Sequence, residues 1–418
     1  MRKIYLLLLI SVVTSCVKNP VTGQNELRFV SENQERQIGN GAYKTAQQAQ
    51  GGQFLLDEKL TAYVSAVGNK IAKESARPTL SFEFVILNDS TPNAWALPGG
   101  KIAINRGLLV ELQSEAELAA VLGHEIVHAA ARHGAKGIER GMLLQGGIIA
   151  LGIASQNTQY NDVLIDSASI AASLVMSKYS RHQELESDRY GMIYMAKAGY
   201  NPEAAIRLQE LFLRLSESRN DWIGGLFASH PPSQERIDAN KLTAAEVKIE
   251  TALFEGRDEY KDAISWLVEK KEAYSFYDEG KKALKEKHYD KADQLADKAI
   301  HTFGGEALFY SLKGQAQRKP QEAIAYYTKA IELNPDYYEF YLKRAECKKA
   351  LGDVAGARAD AKKSVELLPT GEGHELLGRV ALAYGDKRRA IYHFQVASHA
   401  HSAAGARARA YLKKEERT

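Results

Sequence analysis

Apolar positions along this chain follow several distinct patterns. From Ile4 to Val13 they run almost unbroken behind Arg2 and Lys3. Leu60, Val64, Val67 and Ile71 recur at helical spacing. Ser81 to Leu87 alternates and is rich in strand formers, and Lys101 to Asn105 alternates again just after the turn residues Pro98, Gly99 and Gly100. These two runs predict a small antiparallel sheet. Ser31 with Gln34, and Ser114 with Glu117, read as capping boxes opening helices. The second of these helices is expected to stop near Gly134. Residues 141–154 are apolar and glycine-rich but too short to span a bilayer, so they predict a buried or interfacial helix. Residues 155–166 read as a loop. A long helix then ends at Gly199, with Pro202 beyond it. Residues 241–272 predict a helical connector.

A repeat occupies the rest of the chain. Gly280, Gly314, Ala345 and Gly378 are spaced by 34, 31 and 33 residues, and Ala292, Ala323, Ala357 and Ala390 by 31, 34 and 33. Small residues at two fixed points let paired helices approach closely. KAIELNP at 329–335 and KSVELLP at 363–369 close successive units, each on a proline that ends a helix. The pattern resembles the tetratricopeptide repeat, with about four units, the second shortened in its inter-helix loop. Such units stack because none can bury its apolar stripe alone.

Composition narrows the function. A net charge of +3 on 418 residues lacks the basic excess of a nucleic-acid binder. Residues 271–418 hold 27 Lys and Arg against 21 Asp and Glu, leaving 28 against 31 elsewhere. This mild asymmetry suits a solvated helical face. The N-terminal apolar run is too short to cross a membrane but suits a signal-peptide core. Val13-Thr14-Ser15-Cys16 resembles the bacterial lipoprotein processing site, which implies cleavage before Cys16 and lipidation there. An ordinary secretory signal with a chance cysteine is the competing reading. Val17 is not the aspartate associated with inner-membrane retention, so outer-membrane anchoring is the expectation for a Gram-negative source. Cys347 then stands alone, and no internal disulfide is expected.

The chemistry concentrates in LGHEIVHAAARHG, residues 122–134. His124 and His128 are four apart on a predicted helix, about 40° apart on one face, so both imidazoles can reach one ion with Glu125 beside them. This is the HExxH arrangement of zinc proteases. His133 lies five residues past His128 with Ala131 between, so a continuing helix points it away, to interact with the helix dipole instead. In YSRHQELESDRYG (residues 179–191), Glu184 and Asp188 share a helix face. Glu184 can supply a third ligand, and Asp188 can fix a ligand histidine's tautomer. Glu186 is the alternative ligand, but it faces elsewhere. His182 reads as a surface residue.

HEIVH, then SRHQELESD, then SHPPSQERI at 229–237, match in order the zinc metallopeptidases typified by the CAAX-prenyl endopeptidases and their soluble bacterial relatives. NAWALPGGKIAINRGLL at 93–109 resembles the strand region before the metal helix in that family. The similarity covers roughly residues 25–270. With a lipoprotein signal and C-terminal repeats, the chain looks most like the periplasmic β-barrel-assembly-enhancing protease subfamily. It lacks the spans of the prenyl-cleaving members, so prenyl-peptide substrates are not implied.

The resemblance implies an α+β, mostly α chain. A signal segment (1–15) and a lipidated tether (16–30) precede a zincin-like peptidase domain (31–240). A connector (241–272) leads to an all-α repeat domain (273–418). It implies one Zn2+ on His124, His128 and Glu184, with Glu125 as the base. His230 is then placed near the metal, either stabilising the oxyanion or latching the open position, and Arg236 orients its loop. Substrate is expected to add as a strand along Asn93, Ala94, Trp95 and Ala96. The expected clients are unfolded or misassembled envelope proteins, with outer-membrane assembly machinery as a partner for the repeats. The competing class is a non-proteolytic envelope scaffold with a structural metal; Glu125 speaks against it, because a structural site needs no base.

Overall fold

The computed structural model describes residues 15–144, 174–175, 178–218, 225–247 and 253–415. The signal run at 1–14 and nearly all of the segments read as an interfacial helix and a loop lie outside them. No helix among the described residues is long and apolar enough to cross a membrane.

A hairpin comes first, where a plain tether was expected: β1 (Ser15–Lys18) pairs antiparallel with β2 (Asn25–Arg28). Helix α1 (Glu32–Ala49) opens on the predicted Ser31–Gln34 capping box, and α2 (Glu58–Ala72) carries the Leu60–Ile71 stripe inward. The central sheet has three strands, β3 (Glu83–Leu87), β4 (Ala94–Leu97) and β5 (Lys101–Asn105), in the order β3-β5-β4. Its β4–β5 hairpin is antiparallel, as the Pro-Gly-Gly turn predicts. The two runs expected to pair antiparallel, now β3 and β5, pair in parallel instead, so the sheet is mixed. The 88–93 connection carries the chain past β5, so that β4 enters on the far side.

Alternation sorts the sheet's two faces. Ile86, Ala94, Ala96, Ile102 and Ile104 join the main core, while Leu87, Trp95, Leu97 and Ala103 pack with Ala42, Tyr43 and Ala46 of α1. Both faces are covered, so β4 and β5 are buried along their whole length.

A short α3 (Arg106–Leu109) leads to α4 (Glu115–Ala130), which Ser114 caps by accepting from the Glu117 N–H. The Glu117 carboxylate reaches Gln113 N at 2.7 Å, one residue beyond a reciprocal box. Every residue of α4 from Ala116 to Ala130 is buried. Its alanines are therefore packing surface on all sides, which leaves little room for a wider helix.

The helix stops before Gly134. Arg132 takes a left-handed φ of 62°, and α5 (His133–Leu144) starts at the next residue. Buried Arg132 is held there by Glu35 Oε2 at 2.9 Å and Val30 O at 2.6 Å. Helices α6 (Arg181–Lys197), α7 (Glu203–Ser218), α8 (Leu226–Ser229) and α9 (Gln234–Glu246) follow. The helix read as running to Gly199 has its own start, a capping box of Ser180 with Gln183.

Helix α10 (Arg257–Glu269) packs into the core through Tyr260, Ile264 and Leu267, and the Tyr260 hydroxyl donates to Leu109 O at 2.6 Å. Four helix pairs come next: α11 (Lys271–Lys285) with α12 (Tyr289–Thr302), α13 (Ala307–Ala316) with α14 (Pro320–Leu333), α15 (Tyr338–Ala350) with α16 (Val354–Leu367), and α17 (Gly371–Ala383) with α18 (Lys387–Ser398). A single helix, α19 (Ala403–Glu415), closes the array. The second unit is short because α13 ends a turn early, at 10 residues; the connection at 317–319 keeps its length. The predicted small residues do sit at close approaches: a Cβ on Gly314 would meet the Tyr327 ring at 2.9 Å, and one on Gly378 the Phe394 ring at 2.7 Å.

Candidate active site

Helices α4 and α6 cross backbone to backbone. A Cβ on Gly123 would lie 3.1 Å from Gly191 O, and one on Gly191 would lie 3.0 Å from Gly123 C and His124 N. Two glycines therefore set the helix separation, and with it the distance between the histidines of α4 and the carboxylates of α6.

His124, His128, Glu184 and His230 converge there, one donor atom from each lying within 4.8 Å of all the others. His124 Nε2 and His128 Nε2 are 3.0 Å apart. Glu184 lies 3.5 Å from the first through Oε2 and 3.4 Å from the second through Oε1. The other ring nitrogens are engaged. His124 Nδ1 lies 2.9 Å from Asp188 Oδ1, and His128 Nδ1 lies 2.9 Å from His133 Nδ1. His133 Nε2 in turn reaches Glu186 Oε1 at 3.3 Å. When the Nδ1 atoms carry the protons, two Nε2 lone pairs face each other across 3.0 Å inside the protein. That arrangement is repulsive unless a cation lies between them. Separations of 3.0–3.5 Å suit atoms sharing one ion at about 2.0–2.1 Å, so the donor set fits zinc.

Arg236 organises the acidic side. It makes two 2.7 Å bonds to Asp188, contacts Glu184 Oε2 at 2.9 Å, and donates to Pro231 O at 3.2 Å. Burial opposes a charge on Glu184, but His230, Arg236 and His124 outweigh it and hold its pKa well below the ordinary value. Burial likewise opposes ionisation of Asp188, and Arg236 and His124 overcome it. Burial also pushes His128 well below the usual imidazole range, keeping it neutral, as a ligand must be. Glu125 is the exception: burial raises its pKa despite His230 and His124 nearby.

His230 Nδ1 lies 3.0 Å from Glu184 Oε1 and 3.2 Å from His124 Nε2. Its Nε2 lies 3.6 Å from Glu125 Oε1. Buried Glu125 Oε2 and His230 Nε2 have no hydrogen-bond partner among the described residues. The cavity beside them holds only about 40 Å³ and is lined by His124, Glu125, Asp188, His230 and Arg236 among others.

Asn93 to Ala96 lie at the sheet's edge, β4 having a strand partner on one side only among the described residues. The loop before β4 also anchors the His230 segment: Pro92 O accepts from Leu226 N at 3.0 Å, and His230 N donates to Leu226 O at 2.8 Å.

A model for peptidase family M48 matches residues 58–244, and one for the tetratricopeptide repeat matches residues 314–359. The mitochondrial metalloendopeptidase OMA1 of Schizosaccharomyces pombe is 32% identical over 238 residues, 56% of this chain and 68% of that protein. The chain belongs to peptidase family M48. It is a zinc-dependent metallopeptidase with a C-terminal repeat array. The putative beta-barrel assembly-enhancing protease of Vibrio cholerae is 30% identical over 184 residues, 42% of this chain. The beta-barrel assembly-enhancing protease of Escherichia coli is 25% identical over 190 residues, 44% of this chain. This chain spans only 36% and 39% of those two bacterial proteins.

Two features of the M48 site escaped the sequence reading. His133 stands at the start of α5, behind His128, where a helix C-terminus was expected. Tyr179 lays its ring 3.8 Å from the centre of His128 and 5.3 Å from that of His230. Glu186 serves His133, and His182 is exposed, 3.7 Å from Glu186.

Proposed function

We propose that this chain is an endopeptidase of the bacterial cell envelope acting on unfolded or misassembled proteins. In this reading His124, His128 and Glu184 hold the zinc, Glu125 is the base and His230 is a latch. The convergence of two Nε2 atoms, the Glu184 carboxylate and an unpartnered Glu125 oxygen carries the proposal.

Bound zinc would supply Lewis acidity toward a carbonyl and a water. Glu125 takes a proton from that water and passes it to the leaving amine; a pKa raised by burial suits both roles near neutral pH. Asp188 and Arg236 keep His124 and Glu184 oriented. Substrate adds to the outer edge of β4 by main-chain hydrogen bonds, which read extension rather than sequence and so favour unfolded chains. His230 must swing away first, so the enzyme rests closed. Placement nearest the bacterial assembly-enhancing group, rather than the prenyl endopeptidases, rests on the relatives' names and the repeat array. Periplasmic residence with a lipid anchor at Cys16 in the outer membrane rests on the sequence signal. The repeats would then dock clients or assembly machinery.

The test combines zinc analysis with cleavage of unfolded casein. Glu125→Gln is expected to retain zinc and lose about 10²–10⁴ in kcat. His230→Ala is expected to raise basal cleavage; a fall would give His230 an oxyanion role instead. If Glu125→Gln binds zinc and still restores envelope function in full, the chain is a scaffold.

A further inference from the structure

The cavity beside Glu125 lies where α4, α6, α7 and α9 meet. Along α7 it is lined at helical spacing by Ala205, Leu208, Gln209 and Phe212, and along α9 by Arg236 and Asn240, one turn apart. The α7 wall is thus apolar with one carboxamide set into it, and α9 adds a second. Both carboxamides are buried, Gln209 at 6% exposure and Asn240 at 1%. Among the described residues, Gln209 Oε1 and both amide atoms of Asn240 have no hydrogen-bond partner.

Buried polar atoms without partners are rare in folded proteins, because each has given up its water without a replacement. Arg236, one turn before Asn240, is fully engaged with Asp188, Glu184 and Pro231 O. The shortage is therefore local to the two carboxamides, and the zinc site as assigned uses neither of them.

We infer that Gln209 and Asn240 select the substrate residue that follows the scissile bond, and that they favour asparagine or glutamine there. The inference rests on the peptidase reading of Glu125. Because Glu125 hands its proton to the leaving nitrogen, the residue that owns this nitrogen brings its side chain nearest to Glu125, and so to this cavity. A substrate carboxamide offers N–H donors to Gln209 Oε1 and Asn240 Oδ1, and a carbonyl that accepts from Asn240 Nδ2. Leucine would leave all three atoms unpaired, and a pocket built to hydrogen-bond its ligand rejects an apolar analogue strongly for that reason. A carboxylate would meet Glu125, and an ammonium would meet Arg236. Size agrees with chemistry. The cavity holds about 40 Å³, and a water-sized group needs roughly 10–15 Å³. It therefore takes about three such groups, which suits the carbon, oxygen and nitrogen of a carboxamide and is too few for a phenyl ring.

The experiment uses the full zinc-loaded chain and two sets of probes. The first set is fluorogenic glycine-alanine peptides that differ at one central residue, asparagine, glutamine, leucine or phenylalanine, with mass spectrometry locating the cut. Cleavage is expected before asparagine and glutamine, with kcat/KM at least tenfold above leucine and phenylalanine. The second set needs no turnover. It is a succinyl hydroxamate with the asparagine side chain next to its zinc-binding group, and a twin with the leucine side chain. Calorimetry is expected to show the carboxamide binding at least tenfold tighter. Asn240→Leu, which keeps the side chain's size, is expected to invert both preferences, and Gln209→Met to reduce them at least threefold; a merely structural role would weaken all probes alike. A carboxamide preference among the hydroxamates in a chain that cuts no peptide would support the inference while removing the peptidase reading. Peptide cleavage with no carboxamide preference would overturn the inference and leave that reading in place. Equal binding of the two hydroxamates, or preferences unchanged in both variants, would overturn it as well.

Discussion

Asp188 shows how much depends on a residue that touches no metal in the proposed site. One of its oxygens accepts from His124 Nδ1 and from Arg236 Nη2, and the other accepts from Arg236 Nε. It fixes which nitrogen of His124 carries the proton, and it neutralises an arginine buried with it. Replacing it by asparagine keeps the shape but removes the charge. Asp188→Asn is expected to weaken zinc binding about 10–100-fold. Chelator competition followed by metal analysis measures this, and an unchanged affinity would mean that His124 needs no partner. The residue was legible in the sequence because it shares a helix face with Glu184 at a spacing of four. His133 and Tyr179 were not. The position of His133 depends on the left-handed Arg132, which is stabilised by Glu35 almost a hundred residues away in the chain. No local pattern carries that information. Tyr179 precedes the Ser180 cap, and its contact with the His128 ring is long-range in the chain, so no local pattern points to it.

At the scale of elements, the site is the crossing of α4 and α6. Helical spacing revealed that each helix carries two chemically active residues on one face, but not how closely the faces meet. Gly123, lacking a Cβ, lets α6 approach closely. Its counterpart Gly191 was not legible in the sequence, because a glycine one helical turn beyond Asp188 looks like an ordinary weak point in a helix. The mixed sheet was half legible for a related reason. The Pro98–Gly100 turn dictates the β4–β5 hairpin locally, whereas the parallel β3–β5 pairing depends on the path of the 88–93 loop. The crossing makes a sharp prediction. In Gly191→Leu the side chain must push against the backbone of Gly123 and His124, neither of which can yield. Overpacking of this kind costs about 1–3 kcal/mol. Urea unfolding is expected to show that loss, together with reduced zinc retention, as Glu184 moves from the histidines. Gly199→Ala tests strain of another kind, since Gly199 ends α6 with a φ of 88° and nothing lies within 4 Å of its Cβ position; it is expected to lower stability without loss of zinc. If both variants retain zinc equally, the crossing does not position the ligand.

Taken whole, the molecule joins its repeats to its peptidase segment through side-chain contacts. The repeats were legible because small residues recur at nearly constant intervals. Their seating against the peptidase was not, because single residues scattered through the chain make it. Phe309 and Phe340 belong to the same core as Ile102 and Leu118. Gln48 accepts from Tyr338 N at 2.9 Å. Buried Glu306 accepts from Tyr274 Oη at 2.7 Å and from Asn88 Nδ2 at 3.0 Å. Arg106, 3.4 Å from the Tyr274 ring centre, holds Asn88 Oδ1 at 2.8 Å and Ser90 Oγ at 2.7 Å. From Ser90 two residues lead to Pro92, whose carbonyl anchors Leu226 four residues before His230. A continuous set of contacts therefore joins the first repeats to the proposed latch. Glu306→Ala removes the acid at the centre of that set and leaves the buried Tyr274 hydroxyl and Asn88 amide without their acceptor. Each buried donor left unsatisfied costs about 1–3 kcal/mol. Calorimetry is expected to resolve two transitions in the variant where the parent shows one, and basal casein cleavage is expected to rise as the His230 segment loses its support. A single transition with unchanged cleavage would mean that the repeats rest on the peptidase without steadying its latch.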